Sequence, residues 1–214
     1  MPSYKATHIP YGLTDPSKRT IVNPGIKDEV EFLEYGIETG GSHFTARALV
    51  KPDGGVPIHR HYGYGETFMT QQGILGAVGH NGTKPMLLNP ENKETYRVQP
   101  GEWHRFFNPS KTESIVFDGK VEPAHQRFEI NLHIFYGLVN DGHGTPEGFP
   151  DLWHLLMLTS MAEIGYQGFG GWVMGMVAGV VGFIARVTGE EERLTVKYYG
   201  RPITDEEKRK WKVE

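Results

Sequence analysis

The chain has 214 residues, 22% of them charged, and a net charge of −4, which allows one domain with a sizeable core, or one domain plus an appendage. That balance excludes a disordered acidic tail. The lack of a clustered basic face excludes a nucleic-acid partner, because phosphate neutralisation supplies most of that affinity. There are no cysteines, so disulfides and thiolate sites are excluded and any metal must sit on nitrogen and oxygen ligands.

In chain order, residues 1–28 are rich in Pro, Gly and polar residues and predict an arm with little structure of its own. Met1 to Pro10 holds Lys5 and His8 but no apolar h-region, so no secretory signal is visible and the cytoplasm is the expected location. Residues 29–140 predict a β-barrel or sandwich of many short strands. Val30, Phe32 and Tyr35 begin one. His43 to Val50, Glu66 to Gln72, Ile74 to Val78, Glu94 to Val98, Trp103 to Asn108, Glu113 to Phe117 and Phe128 to Val139 follow. Turn signals separate them at Pro52-Asp53-Gly54-Gly55, His80-Asn81-Gly82, Asn89-Pro90-Glu91-Asn92, Gln99-Pro100-Gly101 and Asp118-Gly119.

Residues 141–200 predict a helical extension, and 201–214 a charged tail whose basic run, Lys208 to Lys212, is a solvated end. Trp153, Leu156, Met157, Ser160, Met161 and Ile164 follow helical spacing after the breaker run Gly142 to Pro150. Ile164 to Ala185 carries no charge and predicts a second helix of about 33 Å, long enough to cross a bilayer core of about 30 Å. Gly168, Gly171, Gly175, Gly179 and Gly182 share one of its faces. Each costs about 1 kcal/mol relative to alanine in a helix, and small residues let another backbone approach closely. Packing on a neighbouring helix, the barrel or a second subunit is the first reading, and membrane contact through 164–185 the alternative, since few basic residues flank the segment.

The chemistry concentrates in Pro57-Ile58-His59-Arg60-His61. Alternate side chains of a strand share a face, so His59 and His61 point the same way and can chelate one ion. A bend through Tyr62-Gly63-Tyr64-Gly65 brings Glu66 back to that point, and His104 follows the Pro100-Gly101 turn, which aims its imidazole inward. Three imidazoles and a carboxylate suit one divalent transition-metal ion (Fe, Mn, Co, Ni, Cu or Zn) and disfavour Ca or Mg.

His59-x-His61-x4-Glu66-x6-Gly73 resembles the first motif of the cupin superfamily, and Pro100-Gly101-x2-His104-x3-Asn108 resembles the second. The usual leading glycine of the first motif falls only approximately, at Gly54 or Gly55. The resemblance covers residues 40–120. It implies a mainly β fold, a jelly-roll barrel of about six to eight strands with the metal inside one mouth, followed by a C-terminal helical hairpin. It also implies a metal-dependent enzyme acting on a small organic substrate. Oxygen-dependent oxidation of an aromatic or apolar compound comes first, metal-assisted isomerase, cyclase or lyase chemistry second, and a non-catalytic metal- or ligand-binding role third. In the enzymatic readings Glu66 is the catalytic residue, as a permanent ligand or as a base that swings off the metal.

Other candidates rest on position alone. Arg47, on the strand before the first motif, is a candidate for binding a substrate carboxylate or phenolate inside the barrel, against an exterior charge. Phe68 and Phe106 share strand parity with Glu66 and His104 and are expected to line the cavity, as substrate contacts or as ordinary filling. Tyr62 and Tyr64 flank the ligands as donors or as packing. His133 is expected on a polar outer face with Glu129 and Asn131, and His80, His125 and His143 near solvated turns. The expected partners are a small-molecule substrate and a second copy of the chain in a homodimer.

Overall fold

The computed structural model describes residues 4–79 and 85–214; His80 and the turn predicted at His80-Asn81-Gly82 lie outside the described residues. The strands in order are β1 (His8–Pro10), β2 (Thr20–Asn23), β3 (Asp28–Glu34), β4 (Phe44–Val50), β5 (His59–His61), β6 (Gly65–Gln72) and β7 (Leu75–Val78). They continue with β8 (Met86–Leu88), β9 (Thr95–Val98), β10 (Arg105–Phe107) and β11 (Ile115–Glu122). Six of them form one sheet in the order β2-β3-β4-β11-β6-β9, and β10-β7-β8 form a smaller one. Strand β6 is antiparallel to both its neighbours, β11 and β9. Isolated pairings Gly55↔Phe107 and His59↔His104 add the β5 segment to the edge of the smaller sheet beside β10.

Alternation decides which side chains fill the space between the sheets. Phe117 of β11 sits opposite Ala48 of β4 and Thr70 of β6, and directly opposed residues share a face. Glu66, Phe68 and Thr70 are therefore inward and buried, while Met69 and Gln71 are exposed. Phe68 and Phe117 pack with Val50, Leu75, Leu88, Val98 and Ile115 from both sheets. Two motif glycines have backbone reasons. Gly73 (φ +76°), at the end of β6, and Gly101 (φ +83°), in the turn before His104, sit in the left-handed region that side-chain-bearing residues avoid.

The strand predicted over Phe128 to Val139 is instead a helix, α1 (Gln126–Asn140). Phe-Glu-Ile-Asn-Leu-His alternates apolar and polar residues as a half-buried strand would, but the buried positions Glu129, Ile130, His133, Ile134 and Leu138 recur at helical spacing. They face Phe32 and Tyr35 from the β3 end of the large sheet, so tertiary packing selects the 3.6-residue period. His133 is consequently buried, its ring stacked on Phe32 at 4.7 Å, and not on the polar outer face expected for it.

Helix α2 (Leu152–Met161) begins at Asp151, whose carboxylate accepts the His154 backbone N–H. The long second helix expected from Ile164 is divided. Ile164–Tyr166 form β12, which pairs antiparallel with β5, and α3 (Gly168–Val187) follows. Helix α4 (Glu190–Tyr198), β13 (Gly200–Pro202) and α5 (Asp205–Trp211) complete the chain. The N-terminal arm is more ordered than its composition suggests, because β1 pairs with β13 and β2 with β3. The polar tail closes in α5 with a capping box between Thr204 and Glu207.

Candidate metal centre

Each of the four expected ligands is placed by a local rule. His59 and His61 project from the same face of β5, and Arg60 between them points the other way, over the rings of Tyr62 and Trp103. Glu66 is the second residue of β6 and inherits its inward face. His104 is locked to β5 by a reciprocal backbone pair, His59 N–H to His104 C=O at 2.9 Å and His104 N–H to His59 C=O at 2.8 Å. Nε2 of His59 lies 3.1 Å from Nε2 of His61, and Nε2 of His104 lies 2.9 Å from a Glu66 oxygen. One ligand atom from each of the four lies within 4.8 Å of the others.

Hydrogen bonds on the far side of each ring fix its tautomer. His59 Nδ1–H donates to the Pro57 carbonyl at 2.8 Å and His104 Nδ1–H to the Glu102 carbonyl at 3.0 Å. Tyr64 donates its hydroxyl to the Ala162 carbonyl at 3.0 Å, so its oxygen accepts His61 Nδ1–H at 2.6 Å. The Nε2 atoms of His59 and His61 are left as bare lone pairs facing each other, while Nε2 of His104 holds a proton against the Glu66 carboxylate. Two such lone pairs 3.1 Å apart have no proton to share, and a cation between them removes the repulsion. The donor set therefore fits a metal ion, with the ligand-orienting bonds metal-bound imidazoles ordinarily make.

The electrostatics agree. Burial pushes the His61 imidazole down to about 3, against the opposing pull of Glu66. Burial likewise lowers His59, helped by His104. Burial would raise Glu66, but His61 and the hydrogen bond from His104 outweigh it and hold the carboxyl at about 2. Burial would lower His104, but the Glu66 carboxylate keeps it raised. The centre thus carries one carboxylate charge with His59 and His61 neutral, and a divalent cation would displace only the proton that His104 shares with Glu66.

Aromatic rings surround it. Phe68, Phe106 and Phe117 form a three-ring cluster with centroids 4.9–5.8 Å apart, and Phe68 lies 6.4 Å from the His104 ring. From α1, Phe128 packs 5.2 Å from His61 and 5.1 Å from Tyr64. Sequence reasoning missed Phe128 because it placed the residue on a strand. Arg47 is a correction. It pairs with Asp118 across β4 and β11, on the face opposite Ala46 and Ala48, and its guanidinium holds the Asp118 carboxylate at 2.8 and 3.0 Å. One strand position sets the face, and Arg47 falls on the outer one. His125 is partly buried, its imidazole 3.7 Å from Glu163 and its ring 4.8 Å from Tyr64, rather than in a solvated turn.

Tyr64 gives a direct test of the tautomer argument. Tyr64→Phe strips His61 Nδ1 and the Ala162 carbonyl of a shared partner, and loss of such an orienting bond weakens metal binding by about 10–100-fold. Competition against a chelator of known affinity should show that loss. The metal-free variant should melt with about 1–3 kcal/mol less stability, the cost of leaving buried polar groups unpaired.

Two facing antiparallel sheets, with three imidazoles and a carboxylate from β5, β6 and the residue before β10 brought together, are the arrangement that the cupin resemblance of the sequence implies. No protein-family model matches the chain. Over 77 residues it is 34% identical to oxidoreductase iacF of Pestalotiopsis fici, a match covering 36% of each protein, so the chain spans about a third of that curated relative. Among solved structures it is similar to a cupin-2 domain from Rhodospirillum rubrum (19% identity, 44% of this chain and 59% of that one, TM-score 0.38). It is also similar to an RmlC-like cupin from Shewanella frigidimarina (13%, 50% and 86%, 0.42) and to a predicted oxalate decarboxylase from Thermotoga maritima (19%, 45% and 81%, 0.41).

Proposed function

We propose that this protein is a metal-dependent oxidoreductase that uses dioxygen to oxidise a small, apolar or aromatic organic substrate. The observation that carries the reading is the convergence of three tautomer-fixed Nε2 atoms and the Glu66 carboxylate beside a wall of phenylalanine rings. The four ligand atoms lie within 4.8 Å of one another, so His59, His61, Glu66 and His104 would hold one ion between them. The metal itself would supply a Lewis-acidic, redox-active centre there.

The chain's own residues do the rest. His59, His61 and His104 hold the centre neutral apart from Glu66, which supplies the single negative charge and remains the proposed catalytic residue, as a ligand in the first instance. Phe68 and Phe106 would give a substrate bound beside the centre an apolar side that favours a ring or hydrocarbon over a charged group. The oxidoreductase named among the relatives supports the same reaction class. A metal-assisted isomerase, cyclase or lyase is the second reading, with Glu66 leaving the metal to take a substrate proton.

Elemental analysis of protein purified without chelator should find about one transition-metal ion per chain. Oxygen uptake should then accompany turnover of an aromatic or dicarbonyl compound and vanish in His104→Ala. Turnover without oxygen uptake transfers the reading to the isomerase class. Bound metal with no turnover of any compound in a broad panel makes the protein a binding cupin.

A further inference from the structure

Helix α3 presents an apolar face that none of the described residues covers. Its inner side is accounted for: Ala178, Val181, Gly182 and Ala185 are buried against the rest of the protein. The opposite side is a ridge of Phe169, Trp172, Met176, Val180, Phe183 and Val187, which recur at three- and four-residue intervals on one seam of the helix. Phe169 is 80% exposed, Val180 61% and Val187 65%. With roughly 150–250 Å² on each aromatic side chain, the exposed ridge amounts to on the order of 800 Å² of apolar surface. Monomers rarely leave a contiguous apolar patch above about 300–600 Å² in water, whereas about 800 Å² per partner is what a stable protein–protein interface needs.

Beside the ridge runs a groove. Gly175 and Gly179 have no atom within 4 Å of the position a Cβ would occupy. They line a cleft of about 470 Å³ whose other wall includes Tyr62 and Trp103 of the barrel. Ridge and groove lie side by side on one face, so a two-fold axis across α3 would set the ridge of each copy into the groove of the other. The surrounding charges favour protein over an anionic bilayer. Glu163 precedes the helix and Glu190, Glu191 and Glu192 follow it, against Arg186 and an Arg193 already paired with Glu190. A membrane-surface helix would instead carry lysine and arginine along its border.

We propose that α3 is the dimerisation surface of this protein, packed antiparallel against α3 of a second copy, ridge into groove. The interface is isologous, with the two-fold axis near residue 178 and Phe169 of one chain beside Val187 of the other. It also covers the outer side of β5, whose inner side carries His59 and His61. The symmetry thus joins two barrels through the strands that hold half of each metal centre.

The full chain contains no cysteine, so introduced cysteines report the contact cleanly. Sedimentation equilibrium of the full-length protein at tens of micromolar should show a dimer, since interfaces of this size support affinities of about micromolar or tighter. The double variant Val180→Glu/Phe183→Glu should be monomeric with unchanged metal content. Under mild oxidation neither Phe169→Cys nor Val187→Cys alone should cross-link, while the double variant should do so between chains. A parent chain that remains monomeric, or a dimer that Phe169→Cys/Val187→Cys fails to cross-link, overturns the proposal. A monomeric parent that floats with phosphatidylcholine vesicles does so as well, and makes the bilayer the occupant of the ridge.

Discussion

The His61→Ala variant is expected to hold metal at least ~100-fold more weakly than the parent chain, since even partners that merely orient a ligand are worth about 10–100-fold. The substitution removes one of three Nε2 donors and also breaks the connection through Tyr64 to Ala162, the residue that ends α2. His61 is 2% exposed, so the alanine leaves a small polar void, and the metal-free barrel should lose about 1–3 kcal/mol, a typical cost for a buried substitution. His104→Ala should lose metal to a similar degree. There the carboxylate of Glu66 is left without its 2.9 Å partner in a buried site, and unpairing a buried charge costs more than unpairing a neutral ring. His59, at the half-buried rim, should lose the metal with the least change in the apoprotein melt. The measurements are the metal-to-protein ratio after purification without chelator and thermal unfolding of the stripped proteins. Stoichiometric metal in both His61→Ala and His104→Ala would rule out the centre described here.

The second large effect lies away from the barrel mouth, at Glu129. Its carboxylate accepts the Gly36 backbone N–H at 2.8 Å and the Tyr199 hydroxyl at 2.7 Å, in a fully buried site among Tyr35, His133 and Tyr199. Burial raises its carboxyl from 4.5 to about 8, despite those two hydrogen bonds. A folded-state value above the unfolded one makes the protonated form the stabilising one. That contribution is complete below pH 4.5 and is lost as the pH rises toward 8. At about 1.4 kcal/mol per unit, the difference is on the order of 5 kcal/mol across that window. Glu129→Gln keeps a side-chain oxygen to accept the Gly36 N–H and carries no charge, with the Tyr199 hydroxyl turned to accept from the new amide. It should therefore melt well above the parent at pH 8 to 9 and match it near pH 4.5. His133 acts in the opposite sense in both proteins. Burial lowers its imidazole to about 3, so its contribution is present above 6.5 and lost as the pH falls toward 3. The difference between variant and parent isolates Glu129. Equal pH profiles for the two would show that the carboxylate is already neutralised by some other means.

The ligands were legible in the sequence because their geometry is local. His59 and His61 share a face by the two-residue period of a strand, Glu66 follows one tight bend later, and His104 follows a Pro-Gly turn whose glycine needs a left-handed conformation. The apolar character of α3 was equally plain from composition. The alternation through Phe128 to Val139, by contrast, satisfied two periods at once, and contact with Phe32 and Tyr35, about a hundred residues earlier, chose the helix. Arg47 missed the barrel interior by one residue of strand phase, which no spacing within its own strand reports.

Residue type and spacing alone determined which four side chains could share a cation and which helix would be too apolar for water. The tertiary structure decided what stands behind those side chains: Tyr64 tied to the end of α2, β12 laid along β5, and Phe128 of α1 against His61. Ligand spacing is written in dihedral periods that act over a few residues. Partners drawn from the far end of the chain are selected by the shape and polarity of the surface they bury, and that surface exists only once the barrel has folded.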